Sequence, residues 1–171
     1  ALRNAAQPVA NVEDVAVPPE RLPEYLRRVQ DILRRQETTA SFLIHAAGGQ
    51  VHMRPFLDLQ NPRDVDRLWI LADEVYSLTL ELGGTISAQH GTGLARLPWV
   101  GRQVGPLARI HREVKSVFDP RHLFNPGKVV PATTQPAVWP MRRRGKREER
   151  STPLPQLLWP TSSPVQESLA C

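Results

Sequence analysis

Several features that define common protein classes are scarce or missing in this chain. Its 171 residues include one cysteine, Cys171, so an internal disulfide framework and an all-cysteine metal site built by this chain alone are excluded. No apolar run approaches the roughly 20 residues that cross a bilayer, and the first ten residues lack the apolar core of a signal peptide. The motifs CxxC, HExxH, GxSxG and the P-loop are also missing, which excludes the most common motif-defined enzyme classes.

The composition that remains is that of a globular protein, with 40% hydrophobic and 23% charged residues. The net charge of +5 is concentrated in the last 41 residues, where six basic residues lie between Arg142 and Arg150 and only three acidic residues occur. This basic, proline-rich segment favours a solvated linker over a nucleic-acid-binding surface, although phosphate contacts remain an alternative. The chain does not begin with Met, and we expect it to be part of a longer protein.

The composition changes at Pro131, which predicts a folded domain over residues 1–130 and an irregular Pro/Arg-rich tail over residues 131–171. Apolar periodicity within the domain predicts the following elements: a strand at 10–17, a helix at 19–36, a hairpin of 39–45 and 50–57, a helix from Asn61 to Gly83 and a helix at 106–118. The fold class is therefore α+β, an antiparallel sheet with helices packed on one face.

Three of the five histidines occupy positions that suggest a site. His45 and His52 lie on opposite strands of the predicted hairpin, where side chains on the same face come close enough to share a metal. His52 and Arg54 share one face of their strand by the period of two residues. His90 stands in the glycine-rich stretch GGTISAQHGTG, where glycines allow the backbone to approach a ligand. Ordinary hydrogen-bonded strand histidines are the alternative interpretation.

Four segments in this order resemble the C-terminal domain of the FAD-linked oxidases: VEDVAVPPERLPEYL, HAAGGQVHMRPFLDL, LGGTISAQHGTGLAR and FDPRHLFNPGKVV. That family includes the glycolate oxidase flavin subunit, D-lactate dehydrogenases and D-2-hydroxyglutarate dehydrogenases. The resemblance covers about residues 8–130 and implies a ferredoxin-like substrate domain. The Arg54–Pro55 pair and the basic linker are more similar to the branch fused to a C-terminal iron–sulfur module. In that branch Cys171 corresponds to the first cysteine of a cluster-binding motif, and an FAD-binding domain precedes the segment.

The resemblance implies that a D-2-hydroxy acid is oxidised by hydride transfer to FAD, with electrons passed to an iron–sulfur cluster or another acceptor. It implies that His45 and His52 bind a divalent metal, although Gln89 stands where relatives have a metal-binding Glu. A neutral amide is a poor replacement for a carboxylate on a cation. A second departure is the stretch Ala47–Gln50, where many relatives have Gly-Asp-Gly-Asn.

The remaining roles follow from the chemistry of the side chains. His90 is the candidate for the base or for the group that orients the substrate hydroxyl, because imidazole titrates near neutral pH, and we also expect it to lie at the cofactor. Arg54 is the candidate that binds the substrate carboxylate, since a guanidinium binds both oxygens; a surface ion pair is its alternative role. Asn125, in the NPGK turn, is expected near the flavin edge.

These observations leave three hypotheses. The first is the substrate-binding half of an FAD-dependent 2-hydroxy-acid dehydrogenase, partnered by its FAD-binding domain and an iron–sulfur module, in the cytoplasm or peripheral to the inner face of the membrane. The second is a non-catalytic metal-binding domain that uses His45, His52 and His90. The third is an interaction module that acts through the basic segment Arg142–Arg150.

Overall fold

The described part of the chain, residues 6–130 of a computed structural model, contains four strands and four α-helices. In chain order these are β1 (Gln7–Pro8), β2 (Val15–Ala16), α1 (Leu22–Arg35), β3 (Ala40–His45), β4 (Gln50–Leu57), α2 (Pro62–Glu81), α3 (Leu97–Val104) and α4 (Ala108–Phe118). Among these helices, none combines the length and the apolar character needed to cross a bilayer.

β4 is the centre of the sheet, and every strand that pairs with it is antiparallel. β3 runs along one side of β4 through the whole hairpin register, from Ala40 opposite Pro55 to His45 opposite Gln50. β1 and β2 pair with the two ends of β4 on its other side. Ala16 also exchanges two backbone hydrogen bonds with Thr85, so the segment after α2 joins the sheet beside β2.

The two faces of β4 have different environments because successive side chains alternate across a strand. Val51 and Met53 point into the core and are almost completely buried. They belong to one apolar cluster with the inner faces of α1 and α2, which include Tyr25, Val29, Ile32, Leu68, Leu71 and Val75. The opposite face of β4 carries His52 and Arg54, which leaves these polar side chains on the side away from the helices.

The sequence-based predictions of the fold class and of α1, β3, β4 and α2 are confirmed. Asn61 caps α2 as expected, since its side-chain oxygen accepts a hydrogen bond from the amide of Arg63 at 3.1 Å. The strand predicted at residues 10–17 is wrong over most of its length. Only Val15 and Ala16 pair, because Asp14 has a left-handed backbone (φ 66°) that breaks the extended run.

The end of the domain also differs from the sequence-based prediction. α3 was missed, because Pro98 and Gly101 weaken its helical pattern, yet Trp99 and Val100 are buried. α4 forms over residues 108–118, and the apolar stripe from which it was predicted is exposed: Ile110 is 47%, Val114 51% and Val117 74% accessible. The predicted tail at 131–171 lies outside the described residues, and the domain boundary at Pro131 stays a prediction.

Substitution of Gly49, at the end of the turn between β3 and β4, tests whether the hairpin turn requires glycine. Its φ is +64°, and a Cβ at this position would lie 1.8 Å from the carbonyl oxygen of Val17. We expect Gly49→Ala to lower the free energy of unfolding by at least about 2 kcal/mol, because both the backbone and the contact are incompatible with a side chain.

Gly48 provides the matched control in urea unfolding experiments. It precedes Gly49 in the same turn, and a Cβ there would meet nothing within 4 Å. Gly48→Ala is therefore expected to change stability by no more than about 0.5 kcal/mol. Equal effects of the two substitutions would show that the turn does not require glycine at position 49.

Candidate active site on the open sheet face

Three histidines lie close together on the open face of the sheet, two of them from the β3–β4 hairpin and one from the loop after α2. His45 and His52 occupy diagonal positions of the β3–β4 ladder, and their rings are 5.8 Å apart, edge to face. The ring of His90 lies 5.3 Å from that of His52. His52 is buried, whereas His45 and His90 are exposed. Side chains 45 residues apart in sequence thus form one cluster.

Arg54 and His90 meet at a third residue, Glu13. The Nε of Arg54 donates a hydrogen bond to Oε2 of Glu13 at 3.1 Å. The Nδ1 of His90 lies 3.7 Å from Oε1 of the same carboxylate. The cation of Arg54 and the candidate base His90 therefore both contact the carboxylate of Glu13, on a surface that remains open to solvent.

The loop that carries His90 is fixed by the buried side chain of Asp14. Its two carboxylate oxygens accept hydrogen bonds from the backbone amides of Gln89 at 2.7 Å and His90 at 2.9 Å. Its own carbonyl oxygen accepts another from the amide of Ala88. The left-handed backbone of Asp14 turns the carboxylate toward these amides, which is a conformation that Asp tolerates better than most residues.

Arg96 supports both the His90 loop and the Glu13–Asp14 segment. Its guanidinium is buried and donates to the carbonyl oxygens of Gly91 at 2.6 Å and Glu13 at 2.8 Å. It also lies 3.8 Å from the carboxylate of Asp14, so the two buried charges offset each other. Tyr76 supports the same segment, because its hydroxyl donates to the carbonyl oxygen of Asn11 at 2.7 Å, and burial raises its pKa to about 12.

Asn125 lies in an exposed turn after α4. Its hydrogen bonds among the described residues are with Lys128, and its backbone is left-handed (φ 47°). Asp119 holds the start of the turn by accepting bonds from the amides of Leu123 and Phe124 and from Lys115. Burial alone would raise the pKa of Asp119, but these hydrogen bonds outweigh it and lower the pKa to about 2.

The donors suited to a metal form a set that differs from the predicted pair. Ligand atoms of Asp14, His52 and His90 lie within 4.8 Å of one another, while His45 stands beside His52 and outside this set. Two imidazoles and a carboxylate are a ligand set typical of zinc. Gln89, at the position where the resemblance led us to expect a metal-binding Glu, has an exposed side chain.

Sequence reasoning missed Glu13, Asp14 and Arg96 as parts of this site. The available signal was the pair of adjacent carboxylates inside the apolar segment VEDVAV, because carboxylates in an apolar segment are rarely buried without partners. Arg96, at the end of the glycine-rich stretch, gave no comparable signal. Cys171 and the basic segment Arg142–Arg150 lie outside the described residues.

Comparison with known proteins decides the family. Residues 1–129 match the FAD linked oxidases, C-terminal domain. The chain belongs to this family. That match confirms the family predicted from the four sequence segments, and it associates this domain with FAD-linked oxidation.

Individual relatives show how much of a longer protein this domain represents. The chain is 34% identical over 128 residues to a D-2-hydroxyglutarate dehydrogenase of Haemophilus influenzae, covering 74% of this chain and 12% of that protein. It is 27% identical over 124 residues to glycolate oxidase subunit GlcD of Bacillus subtilis, covering 72% and 26%. A D-lactate dehydrogenase of Archaeoglobus fulgidus is 31% identical over 122 residues, covering 71% and 27%. The chain thus spans about an eighth to a quarter of these relatives.

The role of Asp14 in holding the His90 loop is directly testable. Asp14→Asn keeps the size of the side chain and its tolerance of a left-handed backbone, but it replaces one acceptor by a donor and leaves Arg96 without its counter-charge. We expect a loss of at least about 2 kcal/mol in the free energy of unfolding and faster hydrogen exchange at the amides of Gln89 and His90.

Asp66→Asn is the matched control, since Asp66 is exposed on α2. Its effect should stay within about 0.5 kcal/mol, with no change in exchange at residues 89 and 90. An Asp14→Asn protein that matches this control in both measurements would contradict the assigned role.

Proposed function

We propose that this chain is the substrate-binding half of an FAD-dependent oxidoreductase that oxidises a D-2-hydroxy acid. The observation that carries the proposal is the meeting of Arg54 and His90 at one carboxylate on the open face of the sheet. A 2-hydroxy acid presents a carboxylate and a hydroxyl on adjacent carbons, so its recognition calls for a cation and a base at short separation. The names of the relatives, which include 2-hydroxy-acid dehydrogenases, point to the same substrate class.

Each of the two residues has a defined task in this proposal. Arg54 uses its Nε on Glu13, which leaves its two terminal nitrogens without a hydrogen-bond partner among the described residues. These nitrogens are the pair that binds both oxygens of a carboxylate. His90 accepts the proton of the substrate hydroxyl as the carbon–oxygen double bond forms. FAD, when bound, supplies the acceptor for the hydride that leaves the α-carbon.

The exposed apolar side of α4 supports a partner domain. Ile110, Val114 and Val117 form a continuous stripe on one side of the helix, and Phe118 and Phe124 extend it to the turn that contains Asn125. An apolar stripe of this extent is typical of an interface. We assign it to contact with the FAD-binding part of the protein, which would bring Asn125 to the flavin edge. The described residues fit this edge contact and the substrate; they contain no glycine-rich phosphate loop for the dinucleotide.

The onward path of the electrons belongs to the same proposal. The four D-2-hydroxyglutarate dehydrogenase relatives are so long that this chain covers only 12–13% of each, against 24–27% of the glycolate oxidase and D-lactate dehydrogenase relatives. The longer relatives therefore have room for an additional module. Together with the basic linker, this supports an iron–sulfur module that begins at Cys171.

The test is steady-state turnover of D-2-hydroxy acids by the intact FAD-containing protein. His90→Gln should lower kcat by roughly 10²- to 10⁴-fold, the usual contribution of a general base. Arg54→Lys should raise KM at least about tenfold, because an ammonium cannot bind both carboxylate oxygens as a fork does. Arg27→Lys, at an exposed arginine of α1, is the matched control and should change neither constant.

Two results would overturn the proposal. One is an intact protein that oxidises no D-2-hydroxy acid. The other is flavin absorbance that co-purifies with the isolated 171-residue chain, which would assign FAD binding to this domain itself. Unchanged activity in both His90→Gln and Arg54→Lys would support the oxidation of a D-2-hydroxy acid but would show that neither residue takes part in it.

A divalent-cation site is the second candidate function, favoured by the placement of Asp14, His52 and His90. It ranks second because the carboxylate of Asp14 already binds two amides beside Arg96. His45 is the further donor that sequence analysis placed at this site.

Elemental analysis of the chain after incubation with Zn²⁺ and removal of the excess tests this candidate. A site predicts close to one equivalent of zinc in the unmodified protein and its loss in His52→Ala. The exposed His111 of α4 serves as the control, and His111→Ala should retain the metal. Unmodified protein that retains no zinc would exclude the site.

A further inference from the structure

Glu13 holds a position that the roles assigned so far do not explain. Its side chain is only 11% exposed, yet its carboxylate faces two accessible polar groups of the site, Arg54 and His90, whose side chains are 52% and 50% exposed. A nearly buried carboxylate costs free energy unless its charge is matched. Here one oxygen is matched by the guanidinium of Arg54, and the other is directed at the imidazole of His90.

The backbone around Glu13 keeps this carboxylate in place. The buried guanidinium of Arg96 donates to the carbonyl oxygen of Glu13, and the next residue, Asp14, binds the amide of His90. The backbones of Glu13 and His90 are therefore both held in place by hydrogen bonds to the neighbouring side chains of Arg96 and Asp14. Their relative position does not depend on the side-chain contact itself, so the contact is available to select the state of the imidazole ring.

A carboxylate at Nδ1 selects one form of the neutral ring. Nδ1 becomes the nitrogen that carries hydrogen and donates toward Glu13, and Nε2 is left with a free lone pair. The separation of 3.7 Å exceeds the roughly 3 Å of a hydrogen bond, and such contacts commonly shorten when substrate binds. Only a ring with a free Nε2 can accept a proton from a substrate hydroxyl on its outer side.

We propose that Glu13 is a positioning residue that holds His90 in the form with hydrogen on Nδ1 and, through its second oxygen, fixes Arg54 at a set distance from that base. One carboxylate would thereby align the group that takes the proton with the group that binds the acid. The imidazolium formed during the reaction would gain a negative neighbour. This assignment rests on the proposed function for its purpose, but its geometry is a property of the chain alone.

The form of the His90 ring is measured by ¹⁵N NMR of the histidine-labelled 171-residue chain, at a pH about two units above the usual histidine pKa of about 6.5 and with a chelator present. His90→Gln identifies the resonances. We expect hydrogen on Nδ1 in the unmodified chain, and the other form in Glu13→Gln, whose amide group would donate to Nδ1. Glu20→Gln, at an exposed glutamate, should leave the spectrum unchanged.

The same substitution in the intact enzyme separates positioning from general stability. Glu13→Gln should lower kcat by roughly 10²-fold or more while KM stays within about threefold, because an amide oxygen still accepts from Arg54 and only the base is misaligned. A merely structural role would change protein yield and unfolding without this split. Equal kcat in Glu13→Gln and Glu20→Gln would overturn the proposal.

The NMR result distinguishes the two proposals. Hydrogen on Nε2 of His90 in the unmodified chain would overturn the role of Glu13 whatever the intact protein oxidises. Hydrogen on Nδ1 in a protein that oxidises no D-2-hydroxy acid would support the placement of the ring by Glu13 and reject the proposed reaction.

Discussion

The buried carboxylate of Asp14 is the interaction on which the site depends. It joins the start of β2 to the loop that carries His90, and these segments are 75 residues apart in the chain. A charge without solvent is tolerated only where hydrogen bonds and an opposite charge replace the lost hydration, and here two backbone amides and Arg96 do so. The loop is therefore fixed by polar contacts, while apolar packing fixes the helices beneath the sheet.

β4 has two different faces, one that packs on the helices and one that carries the candidate site. Val51 and Met53 pack the strand against the helices. Because side chains alternate along a strand, His52 and Arg54 then point to the opposite face. The core and the candidate site thus use alternate residues of one strand. A shift of one residue in the hairpin register would exchange the two sets, so the tight turn at Gly49 protects the site as well as the fold.

Local pattern was enough to predict much of the architecture. Apolar periodicity located α1 and α2, and the Asn61 cap and the β3–β4 hairpin followed from residues close together in sequence. The same reasoning failed where local pattern conflicts with tertiary contacts. The segment 10–17 has the composition of a strand, but Asp14 turns away from it to bind a distant loop. In α4 the periodicity gave the helix but not its environment, because periodicity shows that an apolar face exists but not what covers it.

The sequence by itself determined the family, the α+β class and the side chains able to do chemistry, namely His45, His52, His90 and Arg54. Their types and spacing can be read directly from the sequence. Only the tertiary structure decided that Glu13 lies between Arg54 and His90, and that Asp14 and Arg96 hold the loop behind them. These contacts join residues 41 to 83 positions apart, and no periodicity specifies them, because each depends on where the packed sheet and helices leave room for a charge.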